Sequence, residues 1–356
     1  MNVKRLAISI ALSLVGATAW AAPISPGANV SVVYPSLEGT ANFQIPEIRL
    51  DGLITAGTVE TVRKLAGEIP KAGNQLVRAI LVLNSQGGDL VAGIHLGRAA
   101  RELGLSTMVG KPKGEYGQRA SGECLSACVM AFAGGVFRFS SEKDVLGVHR
   151  FDADIPRSTD LDVGQIMSAA ISNHIIEMDI SPLLLDRIVR AGPDSMNVLD
   201  NKDAIAMRLV NNGVLPPIWN IEGRSGIIYL KGEQTTQAGV GKLIFGCGRD
   251  RSISMSSLFA PGPIAKTILE TTSSYGLIAG SKVQMVELDS PAEMQGNFIM
   301  SLFKPTPGQL GSLLNGQTIG FTYQARDKDT PIYGFRVQIL ENRELIQSFI
   351  LHCSAS

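Results

Sequence analysis

The chain has 356 residues, of which 45% are hydrophobic and 18% charged, enough apolar material for a sizeable core and, at this length, for two domains. That composition excludes a disordered chain. Lys plus Arg and Asp plus Glu both number 32, so no global positive field draws the protein to nucleic acid or to anionic lipid.

The N-terminus reads as an export address. Lys4 and Arg5 precede an apolar run from Leu6 to Ala19, and Ala19-Trp20-Ala21 supplies the small residues a signal peptidase needs. Pro23 disfavours a cut after Ala22, so residues 1–21 are expected to form a signal peptide and the mature chain to start at Ala22. The run is shorter than the roughly 20 residues of a spanning helix, and no later segment is long and apolar enough to span a membrane. The expectation is a periplasmic or secreted protein with no stable membrane insertion after cleavage.

Glu47 to Gly52 reads as a short strand, Thr58 to Ile69 as a helix, and Arg78 to Ser85 (RAILVLNS) as an apolar strand buried on both faces. Two glycines then open a helical stretch whose period runs through Leu90, Ile94 and Leu103, with Gly97 and Ala100 on the same face. A strand at Leu105 to Val109 follows, then a polar loop from Gly110 to Glu123, and the apolar run Leu125 to Ala133. Strands at Val136 to Phe139 and Val145 to Arg150 precede helices at Val163 to Met178 and Pro182 to Ala191. This alternation predicts right-handed βαβ units and a mostly parallel sheet.

Beyond about Asn220 the texture changes to short β-prone runs, among them GIIYLKGE, KLIFGCG, NFIMSLFK, QTIGFTYQA, YGFRVQIL and QSFILHC, parted by Gly, Pro, Asp and Ser. They predict a smaller all-β domain, sandwich-like or a small barrel. With the paired prolines of Leu215 to Gly223 as linker, the expected division is 22–214, 215–223 and 224–356.

Export makes disulfides the natural state of Cys124, Cys128, Cys247 and Cys353, although four cysteines allow three connectivities. The expected pairs are Cys124 with Cys128 and Cys247 with Cys353, the second closing the β-rich domain on itself; two buried free thiols at 124 and 128 are the other reading. Helical positions four apart hold their Cβ atoms about 5–6 Å apart, whereas a disulfide wants about 3.8 Å. Cys124 must therefore precede the helix, which puts Ser126 on the turn entering it.

Three pieces of the first domain could serve acyl transfer. The strand ending in NSQGGD delivers Gly87 and Gly88 at a strand-to-helix turn, where absent side chains expose N–H groups to an oxyanion. Ser126 lies at a second such turn, where the Ala127 N–H and the positive end of the helix favour the same oxyanion. LGVHRF presents His149 at the end of a strand, as a base for the serine hydroxyl. Taken singly, Ser126 reads as a helix cap, His149 as a core histidine and the glycines as a tight turn; their order in the chain favours chemistry.

LNSQGGDLVAG, CLSACVMAFAGG and LGVHRF, in that order, resemble the Clp/crotonase fold, specifically the proteolytic subunit of Clp serine proteases, and more closely the exported Clp-like proteins with C-x-S-x-C and G-x-H-R. The resemblance covers roughly Ile48 to Val214. It implies a spiral of ββα units, Ser126 as nucleophile, His149 as general base, and the N–H groups of Gly88 and Ala127 as oxyanion hole. The family's acid position aligns with Met196, leaving Asp194 as the nearest carboxylate and Asp200 as the second. Without either, a dyad remains, since the acid mainly orients the imidazole and stabilises its cation. Signal peptide peptidases of the same superfamily use a Ser–Lys pair, for which Lys143 is the nearest lysine; crotonase relatives bind acyl-coenzyme A, against which export argues.

The resulting expectation is an exported, ATP-independent serine peptidase acting on peptides or flexible tails, with no metal, nucleotide or other cofactor and no nucleic-acid partner. Clp-fold domains often assemble, which allows a homo-oligomer. A binding protein on a Clp-like scaffold, with the β domain as interaction module, is the competing class, and redox sensing through the Cys124–Cys128 link a third. His95, His174 and His352 read as structural, and HIIE at His174 to Glu177 has metal-pair spacing without further ligands.

Overall fold

The computed structural model describes residues 27–34, 45–70, 76–151, 160–192, 194–224, 227–327 and 332–354. The expected signal peptide and the mature start at Ala22 lie outside these residues. Two buried apolar clusters organise the rest, one within residues 48–210 and one within 219–353.

The first part runs β1 (Asn29–Val33), β2 (Glu47–Asp51), α1 (Ala56–Glu68), β3 (Ile80–Asn84), α2 (Leu90–Glu102) and β4 (Ser106–Val109). A small hairpin, β5 (Lys111–Pro112) with β6 (Arg119–Ala120), interrupts the expected polar loop before β7 (Glu123–Leu125) and α3 (Ala127–Ala133). Then come β8 (Arg138–Phe139), β9 (Val145–Val148), α4 (Asp160–Glu177), α5 (Leu183–Arg190), β10 (Asn197–Leu199) and α6 (Asn201–Ala206).

These strands make two sheets. In the larger, of order β1-β2-β3-β4-β8, β1 is antiparallel to β2 and the remaining pairs are parallel. In the smaller, of order β10-β9-β7, β7 is parallel to β9 and β10 antiparallel to it. Leu81, Val82 and Leu83 of β3 are all buried, as a parallel strand covered on both faces requires. Helices α1 and α2 begin where the sequence supplies a cap. Thr55 and Thr58 form a reciprocal capping box for α1, and the Asp89 carboxylate accepts the Ala92 N–H at 2.7 Å for α2.

The second part comprises β11 (Ile218–Arg224), β12 (Ile227–Thr236), β13 (Gly239–Cys247), β14 (Ile253–Ala260), α7 (Ala265–Thr271), β15 (Thr272–Ala279) and β16 (Lys282–Val286). It ends with β17 (Glu293–Gln295), β18 (Phe298–Phe303), α8 (Pro307–Ser312), β19 (Thr318–Ala325), β20 (Tyr333–Gln338) and α9 (Arg343–Ser354). Two antiparallel sheets, β11-β12-β13-β14-β18-β17 and β16-β15-β19-β20, enclose Leu230, Phe245, Met255, Phe303 and Phe321. Along β14, Ile253, Met255, Ser257 and Phe259 are buried at every second position, the period of a strand covered on one face.

Three expectations are corrected. This part is not all-β, because α7, α8 and α9 belong to it. QSFILHC, read as a strand, lies in α9: Ile346, Phe349 and Cys353 are buried at spacings of three and four, a helical period that a seven-residue window is too short to display. In the expected linker, Ile218 to Gly223 is strand β11, and the Leu215 N–H bonds the Thr235 carbonyl at 2.9 Å.

No described helix is long and apolar enough to cross a membrane. Cys247 at the end of β13 is bonded to Cys353 in the last turn of α9, across a sequence separation of 106. Closing a loop of that length removes much entropy from the unfolded chain. Chemical denaturation of Cys247→Ala/Cys353→Ala under non-reducing conditions should give an unfolding free energy about 3–5 kcal/mol below wild type.

Candidate active site

Strand β7 enters the site between two neighbours. It pairs with β9 through Cys124↔Leu146 and Leu125↔Gly147, and with the end of β3 through Ser85, whose N–H and carbonyl bond Glu123 and Leu125 at 2.7 and 3.0 Å. The chain turns sharply at the next residue. Ser126 has φ 54° and ψ −123°, a region that a residue with a Cβ rarely enters, at a cost of about 1–3 kcal/mol. Its N–H donates to the Gly147 carbonyl at 2.8 Å. Ser126 stands at the N-cap position of α3, yet its side chain makes no capping bond, so the helix-cap reading of this serine falls.

The glycine turn lies directly beside it. Gly87 and Gly88 have φ 113° and 130°, and a Cβ on Gly87 would stand 2.9 Å from the Ser126 Cβ. A Cβ on Gly88 would collide with the Ile54 carbonyl, so both positions require glycine. The turn is clamped by Ile54, whose N–H bonds the Gly87 carbonyl at 2.8 Å and whose carbonyl accepts from Asp89 at 3.0 Å. The Ser85 hydroxyl accepts the Gly87 N–H at 3.1 Å. Among the described residues, the N–H groups of Gly88 and Ala127 have no hydrogen-bond partner.

A cavity of about 470 Å³ collects Gly88, Ser126 and His149, with Asp89 on its wall. Apolar side chains, among them Met130, Phe151, Met167 and Ile171, supply much of the remaining lining. His149 follows β9 directly, and its position is fixed by the next N–H, Arg150 to the Ala191 carbonyl at 3.1 Å. Its Nδ1 is buried and has no hydrogen-bond partner among the described residues.

The acid positions are arranged differently from the serine and histidine. Asp194 is exposed and does not line the cavity, and the Asp200 carboxylate is spent on the N–H of Asp203 at 2.7 Å, capping α6. The β9–β10 register pairs Gly147 with Val198, and Met196, just before β10, packs its side chain over Gly147, where a Cβ would stand 2.7 Å from the Met196 Cγ. The place beside the histidine strand at which the resemblance expects an acid is thus taken by a thioether. Lys143 lies in an exposed loop lining a separate cavity, away from Ser126.

Helix α3, all seven residues of which are buried, carries this site at its N-terminal end. Side chains from three other elements meet its C-terminal carbonyls. Thr107 donates to Phe132 at 2.7 Å, Arg101 to Gly134 and Gly135 at 2.9 and 3.0 Å, and Arg138 to Gly135 at 3.0 Å. Arg138 also bonds the carbonyls of Leu209 and Arg208 at 2.9 and 2.7 Å. Burial, and after it the neighbouring Arg101 cation, push the Arg138 pKa down to about 9, which leaves it charged at neutral pH. Sequence reasoning had no signal for these groups beyond a charge set in the apolar run VFRF. Helix α2 crosses α3 at glycines: a Cβ on Gly93 or Gly97 would strike the Ala127 or Met130 carbonyl.

Of the other histidines, His95 and His352 are exposed, and His174 is fully buried with Nε2 at 2.8 Å from the Met130 carbonyl. No group of three or more His, Cys, Asp or Glu among the described residues could hold a metal ion. Cys124 is bonded to Cys128, with Cα atoms 5.1 Å apart.

Burial lowers the His174 pKa, with the Met130 bond opposing. The unfolded chain takes up this proton near pH 6.5, the folded one only at lower pH, so stability falls as pH drops below about 6.5 and is indifferent to this group above it. Urea unfolding of wild type against His174→Gln between pH 7.5 and about pH 5 should show a shallower acid loss in the variant, by at most about 1.4 kcal/mol per pH unit.

No family model matches this sequence, and no curated protein does. Among solved structures, the chain is similar to a point mutant of ClpP1 from Listeria monocytogenes, at 18% identity and a TM-score of 0.37, over 46% of this chain and 88% of that one.

Proposed function

We propose that this protein is an exported, ATP-independent serine hydrolase, a peptidase working through a Ser126–His149 dyad. The observation that carries the reading is the backbone of Ser126: a serine held at positive φ, its hydroxyl not used as a cap, in one cavity with a histidine and beside two N–H groups without a partner among the described residues. Strain of this kind persists where surroundings over-determine it, and it clusters at sites of chemistry. The sequence resemblance to Clp-type serine proteases points the same way.

In this mechanism His149 removes the Ser126 hydroxyl proton as Oγ attacks the scissile carbonyl carbon. The carbonyl oxygen, now an oxyanion, accepts from the N–H groups of Gly88 and Ala127. The intermediate collapses by breaking the C–N bond, with His149 returning its proton to the departing amine. Water, deprotonated by His149, then attacks the acyl-enzyme carbonyl carbon, and collapse breaks the C–Oγ bond, releasing the acid while His149 returns the proton to Ser126 Oγ. Asp194 receives no role, because it lies exposed and outside the cavity.

The reading divides the chain into a Clp/crotonase-like catalytic domain ahead of residue 215 and a β-rich module beginning with β11 that recruits peptide or protein substrates, in the periplasm or outside the cell. A homo-oligomer is compatible with it. One observation favours a second reading, a binding protein on a retired scaffold: the His149 Nδ1 is buried without a partner among the described residues, so no hydrogen bond there orients the imidazole.

Fluorophosphonate labelling of the mature protein, read by intact mass, separates the two. Wild type should label, Ser126→Ala should not, and His149→Ala should slow labelling by about 10²–10⁴-fold. Asp194→Asn and Asp200→Asn should stay within about threefold of wild type, as a dyad without a carboxylate requires. A folded wild type that does not label supports the binding-protein reading instead.

A further inference from the structure

The conformation of Ser126 has to be imposed by groups outside the residue. Two hydrogen bonds, Leu125 N–H to Ser85 and Ser126 N–H to Gly147, fix the strand side of the turn. The connection from that strand across the serine to the first turn of α3 is covalent: Cys124 lies in β7, Cys128 in α3, and the bond between them encloses only Leu125, Ser126 and Ala127. The enclosed segment holds the proposed nucleophile and one of the two proposed oxyanion donors. Both cysteines are 0% exposed, so the link is built into the core and is not a surface clip.

Stability is a poor reason for a bridge of this length. The entropy that a cross-link removes from the unfolded chain grows with the loop it closes, and this loop spans a separation of 4 against 106 for the Cys247–Cys353 bridge. What a short bridge does supply is geometry. We propose that the Cys124–Cys128 disulfide is a positioning element for Ser126, locking the peptide planes on either side of it so that Oγ faces the cavity and the Ala127 N–H faces the same point. The proposal rests on Ser126 being the nucleophile. Without the bond the serine relaxes toward negative φ, which swings Oγ out of the cavity and turns the Ala127 N–H away. The two bridges then divide the labour, the long one carrying stability and the short one reactivity.

The test compares the mature wild type with Cys124→Ala/Cys128→Ala and Cys247→Ala/Cys353→Ala, reading the fluorophosphonate labelling rate, Tm and a crystal structure of the first variant. The short-bridge variant should label at least about 100-fold more slowly, the loss that a displacement of about 1 Å at a reacting group produces. Its Tm should fall less than that of the long-bridge variant, whose labelling should match wild type. Labelling of the short-bridge variant within about threefold of wild type overturns the proposal, because misplacement of the nucleophile should cost far more. An equal loss of labelling in both variants also overturns it, since general loosening would then suffice. Cys124→Ala/Cys128→Val, which restores the lost volume, replaces the first variant if that one does not fold. A wild type that fails to label sinks the hydrolase reading, and crystallography alone then judges the bridge: Ser126 staying near φ 54° without it overturns the positioning role, and a move to negative φ supports it.

Discussion

Everything about the site depends on keeping one short helix dry. Helix α3 has only seven residues, all buried, and a buried helix end cannot leave its carbonyls to water. The chain answers with donors drawn from distant positions: the Thr107 hydroxyl and the guanidinium groups of Arg101 and Arg138 meet the last carbonyls, and the His174 imidazole sits against one a turn earlier. Helix α2 can lie close alongside because Gly93 and Gly97 present no side chain at the crossing. With its far end and its flank fixed in this way, the helix offers a rigid N-terminal end, where Ser126 stands.

The architecture around it was largely legible from periodicity and punctuation. The continuous apolar run of β3, the glycine pair before α2 and the alternation of short strands with helices are local features, and local features determine these elements. Helix α9 was not legible, because the stretch inspected was shorter than two helical turns and its short apolar run Phe349 to Leu351 fits a strand as well as a helix. The β-rich part was recognised by its strands, but α7 and α8, lying between strand runs, left too few residues to display a pattern.

The candidate site divides along the same line. Ser126, His149 and Gly88 could be placed from motif order, since each sits at the end of a strand whose position the sequence reveals, and the cavity does collect all three. The backbone of Ser126 was not legible, because positive φ at a serine is imposed by its packing and by neighbours remote in sequence, such as Gly87 and Gly147. Nor was the fate of the carboxylates. Asp200 belongs to a helix cap and Met196 to a packing contact over Gly147, and the three-residue strand β10 between them is too short to announce either.

Arg138 reaches in two directions at once. Its guanidinium holds the end of α3 and the carbonyls of Arg208 and Leu209, while its own N–H and carbonyl engage Asn211 and Asn212, a few residues before β11. A mechanical pull on the β-rich part would therefore be borne at this knot before it reached the turn at Ser126. The chain places a strain relief between the β-rich part and the turn at Ser126, as a cable is clamped where it enters an instrument. Load entering through the C-terminal half would thus leave the serine still.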